Sequence, residues 1–473
     1  MQKINQARKI GFVLGPILFG LVIISPIEGL DILPKLVLGI ALWMASWWIT
    51  EAIPLYGTSL IPLVLFPILG IENVENVFLS YVDKIVLLFF GGFLLAKAIE
   101  LSNLHKRFAL NILKTFGTKP KHLVGAFIIV TASLSAWLTN TATTLLILPI
   151  AIAVIAHVQD SDEKSRFGTC LMLCVVYSAS LGGLATLIGT PPNALFASMS
   201  ESLAGIEVSF VQWMIIGVPV SAISLLVLWF FMVKFAKLGN LPIAGTREVI
   251  VNELSKLGKM MRDEKIVSII FALTAIAWIS RGLLWKEYFP FIEDYTIVLI
   301  AAIALLVIPS SSKHRRLLDL KSTKKIPWGV LVLIGGGLAL AGGFSASGLD
   351  MWIADQLSFV GGMSFVLIIL VVVAVTIFSG ELMSNTAGAA LLMPVMASLA
   401  TTIEVSPILL IAPVAIATSY GFIMPVGTPP NAIVIGSGHV TPKNMAKFGL
   451  PFNLISILLL TVLMTTLLPL IWE

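Results

Sequence analysis

Apolar runs recur from Ile10 to Ile471, separated by short polar joints and never by a long polar insertion. A helix that crosses a bilayer needs about 20 mainly apolar residues, and in hydrocarbon every backbone donor and acceptor must find a partner within the protein. That requirement leaves little freedom: the chain reads as an all-α polytopic membrane protein, a single membrane domain over residues 1–473. Its 58% hydrophobic and 12% charged residues are far from the balance of a water-soluble domain.

Candidate spans lie at residues 10–24, 36–49, 54–69, 85–99, 167–188, 211–233, 266–284, 295–308, 328–344, 407–426 and 448–471, about 11 transmembrane helices in all. Lys3, Arg8 and Lys9 before the first run imitate a secretory signal, but Ser25-Pro26-Ile27-Glu28 offers no small-residue cleavage site, so an uncleaved first helix is expected. The net charge of +5 belongs to the joints and gives no support to a nucleic-acid partner. Cys170 and Cys174 share one apolar helix and make neither a disulfide framework nor a zinc signature, which suits packing residues.

Two segments with a polar middle remain, 123–157 and 363–403. Each arm has about 16 residues, or about 24 Å of helix, against a hydrocarbon core of about 30 Å. They read as two re-entrant helical hairpins, with tips TNTAT and SNTAG. Two full crossings joined by a tight turn would return the chain to the same side, so loop parity does not separate the alternatives.

Basic residues fill alternate joints: Lys106, Arg107, Lys114, Lys119 and Lys121; then Lys234 through Arg262; then Lys313, Arg315, Arg316, Lys321, Lys324 and Lys325; then Lys443 and Lys447. Acidic residues mark the joints between them, such as Glu72, Glu201, Glu293 and Asp350. The positive-inside bias puts the N-terminus in the cytoplasm and the C-terminus outside. Within the basic joints, 101–122 and 234–265 suit interfacial helices.

The sequence also repeats itself. GTPPNA occurs at 189–194 and again at 427–432, and the pattern [ST]-N-T-A-x-x-x-L-x-x-P begins at Thr139 and at Ser384. Gly91-Gly92 corresponds to Gly335-Gly336, and Pro149 to Pro394. By the topology above the copies run in opposite directions, so residues 36–233 and 266–473 form an inverted repeat, and paired broken segments in such halves point to a transporter's binding site. The glycine sets read as close-packing sites, and His157 as interfacial.

The tips carry the chemistry. Ser or Thr followed by Asn-Thr is a natural N-cap, and a helix N-terminus presents free N–H groups and partial positive charge to an anion. Two tips meeting from opposite sides would hold both ends of a small dianion, and a dicarboxylate fits. In GTPPN each proline removes a donor and disfavours helix before it, freeing carbonyls at Gly189 and Thr190 and at Gly427 and Thr428. Those carbonyls with nearby hydroxyl and amide oxygens suit a small hard cation, for which sodium is the economical choice. No Arg or Lys lies in either hairpin or beside either GTPPN. A bound dianion would therefore depend on helix ends and co-bound cations, which couples the two. A passive anion channel explains the inverted repeat less well. A membrane-embedded hydrolase lacks a base, since no His or acid pairs with Thr139 or Ser384 in a nucleophile pattern.

SAWLTNTATTLLILP, SASLGGLATLIGTPPNAL, GELMSNTAGAALLMP and FIMPVGTPPNAIVIGSGH resemble the divalent anion/sodium symporter (DASS) family over nearly the whole chain. The resemblance implies an elevator-type symporter of di- or tricarboxylates, or in some members sulfate. It also implies a homodimer in the inner membrane, carrying sodium with substrates such as succinate, malate or fumarate. A sodium-independent exchanger is the near alternative. It places substrate contacts at Asn140, Thr141, Asn385 and Thr386, helped by Thr190, Pro191, Thr428 and Pro429. One sodium site would use Ser135, Thr139, Asn140 and the Gly189 carbonyl, the other Ser384, Asn385 and the Gly427 carbonyl. Two positions depart from the family pattern: Thr139 replaces a Ser, and Gly380 replaces a Thr just before Glu381, removing a hydroxyl from the second cation site. Glu381 reads as an anchor to backbone donors, because a carboxylate touching an anionic substrate would repel it.

Overall fold

The computed structural model describes residues 2–238, 243, 245–311, 316–425 and 427–472. Lys313, Arg315 and Val426, used in the joints and spans above, lie outside the described residues, as do Met1 and Glu473. Among the described residues the secondary structure is helical apart from one isolated bridge between Pro309 and Arg316.

The first half begins with α1 (Gln2–Ile24) and α2 (Ile32–Thr50), then α3 (Leu55–Thr58), α4 (Ile61–Ile68) and α5 (Val74–Tyr81). Next come α6 (Lys84–Leu101), α7 (Leu104–Thr115), α8 (Pro120–Ser135), α9 (Asn140–Ala156), α10 (Ser161–Gly182), α11 (Pro191–Ala204) and α12 (Phe210–Phe235). The second half runs through α13 (Thr246–Lys256), α14 (Arg262–Ser280), α15 (Asp294–Val307), α16 (Leu320–Thr323), α17 (Trp328–Ser347) and α18 (Leu349–Gln356). It ends with α19 (Phe365–Gly380), α20 (Asn385–Thr402), α21 (Ile408–Ala417), α22 (Pro429–Gly436) and α23 (Pro442–Trp472).

Eight helices among the described residues are long and apolar enough to cross a membrane, fewer than the eleven spans expected. The shortfall has local causes. Pro54 and Pro62 break the 54–69 run into α3 and α4, because proline cannot donate into the preceding turn. The 295–308 run forms only the short α15, and the 407–426 run is helical only through α21 before an irregular segment begins.

Burial sorts the helices into lipid-facing and central. The apolar window of α10 is 100% buried, whereas that of α1 is 17% buried. Exposed Ile269, Leu273 and Ile276 on α14 and Leu454, Leu458 and Val462 on α23 leave apolar faces that suit hydrocarbon. The glycine sets are close-packing sites. A Cβ on Gly91 would sit 2.5 Å from Val298 Cγ1, and one on Gly336 would sit 2.3 Å from the Ser59 carbonyl oxygen.

The joints gather at two ends. Arg107 on α7 pairs with the buried Glu264 of α14 at 3.0 Å and donates to the carbonyls of Leu257 and Gly258, so the first two basic joints meet, and α7 packs on α13. Elsewhere Lys84 Nζ pairs with Glu201 at 2.8 Å and Glu293 at 3.4 Å, while Lys286 and the buried Arg281 face Glu207 at 3.0 and 3.6 Å. Lys286 holds the Glu207 carboxyl below its ordinary value although burial works against it. His157 ends α9, its Nδ1 2.9 Å from the Ala153 carbonyl oxygen of the same helix. Cys170 and Cys174 are both buried thiols.

Candidate functional site

Both polar segments fold as two helices around a short break. α8 and α9 are separated by residues 136–139, and α19 and α20 by residues 381–384. The arms have 16 and 17 residues in the first and 16 and 18 in the second, or about 24 to 27 Å of helix. Thr139 and Ser384 adopt nearly the same extended backbone, φ −62° and −64°, and each hydroxyl accepts from the N–H three residues on, at Ala142 and Ala387, both 3.3 Å. These are N-caps, as the sequence implies.

The GTPPN breaks match in the same way. Thr190 and Thr428 are extended N-caps, φ −147° and −141°, with Pro191 and Pro429 as the first residues of α11 and α22. The motif asparagines hold the chain ahead of them. Asn193 Nδ2 donates to the carbonyls of Gly183 (3.0 Å) and Thr186 (2.8 Å), and Asn431 Nδ2 to those of Gly421 (3.1 Å) and Met424 (2.9 Å). The register is identical in the two halves. Each asparagine thus ties down an irregular segment, and it shares the Thr186 or Met424 carbonyl with the Gly189 or Gly427 N–H at 3.3 Å.

Half of the expected free carbonyls are free. Thr190 and Thr428 accept from the Asn193 and Asn431 N–H at 3.2 and 3.1 Å, inside the first helical turn. The Gly189 and Gly427 carbonyls accept no hydrogen bond among the described residues. In the first half Ser135 Oγ lies 2.8 Å from Asn140 Oδ1. A Cβ on Gly183 would sit 2.8 Å from that same Oδ1 and 3.1 Å from the Gly189 oxygen, so a hydroxyl, an amide oxygen and an open carbonyl converge. Gly183 is the residue that makes room.

The second half lacks that hydroxyl. Gly380 stands five residues before Asn385, as Ser135 stands before Asn140, and Asn385 Oδ1 is buried without a hydrogen-bond partner among the described residues. Thr386 is buried beside it. Glu381 accepts from the backbone N–H groups of Phe422 (2.8 Å), Ile423 (3.0 Å) and Met424 (2.8 Å) and from Asn453 Nδ2 (2.8 Å). It anchors the hairpin to the irregular segment before α22, as a carboxylate with several donors should.

Packing crosses between halves. α9 packs on α22, and α20 packs on α11, so each capped arm rests against the other half's proline helix. A cavity of about 800 Å³ reaches Leu138, Thr139, Thr141 and Ala142 at the first break. Ser384, Asn385 and Thr386 do not line it. Its walls include Lys97, Lys106 and Lys325, cations that sequence distance hid from the hairpin. The anchoring Asn193, Asn431 and Asn453 were not singled out from sequence either, although the first two are the fifth letter of the repeated motif.

Residues 9–472 match the family model described as sodium:sulfate symporter transmembrane region. Among curated proteins, the sodium-dependent dicarboxylate transporter SdcS of Staphylococcus saprophyticus is 41% identical over 479 residues, covering 98% of this chain and 92% of that one. The protein of the same name from Staphylococcus aureus is 40% identical over 485 residues, covering 99% and 92%. Two solved transporters share the fold at low identity. They are Alcanivorax borkumensis YdaH (TM-score 0.55, 15% identity, 85% of this chain and 90% of that one) and Neisseria gonorrhoeae MtrF (TM-score 0.58, 14%, 85% and 83%). The chain belongs to the sodium:sulfate symporter family, the divalent anion/sodium symporters its motifs resemble, and is a multi-pass membrane transporter rather than an enzyme.

Proposed function

We propose that this protein carries a C4 dicarboxylate such as succinate, malate or fumarate, together with sodium, across the inner membrane. The observation that carries the reading is the duplicated pair of capped breaks, each with an asparagine at the start of a helix and an open glycine carbonyl nearby. The names of its relatives point to the same substrate class.

Helix N-termini at Asn140-Thr141 and Asn385-Thr386 supply N–H donors to the two carboxylates, and Thr190, Pro191, Thr428 and Pro429 shape the walls. Sodium is held by Ser135, Thr139, Asn140 and the Gly189 carbonyl, and a second ion by Ser384, Asn385 and the Gly427 carbonyl. Both are oxygen sets suited to a hard cation. Cation and dianion favour each other's binding because their charges offset, and this is the coupling.

Residues 36–233 and 266–473 act as an inverted repeat, with re-entrant hairpins and elevator-like alternation of access in a homodimer. The N-terminus lies in the cytoplasm and the C-terminus outside. The absent hydroxyl at Gly380 favours a second reading, in which the protein exchanges dicarboxylates with little need for sodium. Labelled succinate uptake into proteoliposomes separates the two. Uptake driven by a sodium gradient supports symport, uptake driven only by internal succinate supports exchange, and no flux under either condition refutes both.

A further inference from the structure

The 800 Å³ cavity at the first break carries an unbalanced charge. Lys97 is paired with Glu100 at 2.8 Å and is thereby neutralised. His105 contributes little to that charge, because burial lowers its pKa, although the Ile99 carbonyl oxygen 3.0 Å from Nδ1 works the other way. The ammonium groups of Lys106 and Lys325 form no ion pair or side-chain hydrogen bond among the described residues. They come from joints more than two hundred residues apart, yet line one cavity that ends on Thr139 and Thr141.

We propose that Lys106 and Lys325 make this cavity an anion-selecting vestibule, which draws dianions to the first hairpin and sets the affinity for substrate entering from that face. The inference rests on the transport reading for its substrate. Two cations in a recess with low-dielectric walls focus the field into it, lowering the electrostatic free energy of an anion there in proportion to its charge and so raising its local concentration. A dianion gains twice what a monoanion gains. Because neither lysine is among the proposed ligands, they act on encounter and not on the bound geometry. Ordinary salt weakens the effect, since the Debye length is about 8 Å at physiological ionic strength.

The charge of the vestibule can be read without transport. Cysteine placed by Ala142→Cys faces the cavity, and the native Cys170 and Cys174 are buried. In neutral detergent, which removes anionic lipid as a competing partner for the lysines, its reaction rates with an anionic and a cationic thiosulfonate reagent are compared. K106Q/K325Q should lower the anionic-to-cationic rate ratio by about ten-fold at low ionic strength, whereas K114Q, on an exposed residue of α7 outside the cavity, should leave it alone. On the otherwise native chain, K106Q/K325Q should raise the Kd for succinate several-fold at low ionic strength, with the two proteins converging in concentrated choline chloride. An unchanged rate ratio, or an unchanged succinate Kd at low salt, overturns the proposal, as does an equal effect of K114Q. A native protein that binds no dicarboxylate would instead sink the transport reading, while the reagent ratio still decides whether the lysines charge the vestibule.

Discussion

Glu381→Gln tests whether the acid of the second hairpin is an anchor or a coupling group. The carboxylate takes two backbone donors on each oxygen, with Ile423 N–H shared at 3.0 and 3.1 Å, plus Asn453. Glutamine keeps one oxygen. If that oxygen stays with Phe422, Ile423 and Asn453, the amide nitrogen is turned toward Met424 N–H, donor against donor. One charge-assisted bond is lost, at about 1.5 to 3 kcal/mol, and one N–H is stranded, at about 1 to 3 kcal/mol. The sum, about 2.5 to 6 kcal/mol, is large against a typical stability of about 5 to 15 kcal/mol. Thermal melting of the purified variant in detergent should therefore drop by many degrees. Any uptake that survives should keep the native sodium dependence, because the carboxylate faces backbone donors. A variant that melts like the native protein refutes the anchor, and one that folds normally but loses its response to sodium assigns Glu381 to coupling.

Asn193→Ala and Asn431→Ala should each cost about 1 to 3 kcal/mol in thermal melting, and by similar amounts, because each asparagine closes two carbonyls in the same register. Gly336→Ala should abolish stable expression, since its methyl would meet the Ser59 backbone oxygen at 2.3 Å, where no flexible side chain can give way; size-exclusion profiles check this. Gly380→Ser should fold normally, its Cβ meeting only the Thr418 oxygen, at 3.5 Å, among the described residues. The new hydroxyl, set five residues before Asn385, should lower the sodium concentration for half-maximal uptake several-fold, and an unchanged sodium curve would count against a cation site there.

Much of this molecule is written in local sequence. The apolar runs dictate membrane helices, and Thr139, Ser384 and the paired prolines dictate where helices begin, because caps and missing donors act within a turn or two. The resemblance named the family from those same letters. The span count was less legible: proline positions inside the 54–69 run and the irregular chain after α21 trade helix for tertiary hydrogen bonds that hydropathy does not register.

Tertiary structure decided the rest. Only folding shows that Glu381 reaches Phe422 to Met424, that Asn385 Oδ1 lacks among the described residues the partner Asn140 has, and that Lys106 and Lys325 share one recess. Backbone propensity and hydropathy depend on neighbours along the chain. A carboxylate's donors, an amide's partner and the field in a cavity depend on neighbours in space, which no spacing in the sequence specifies.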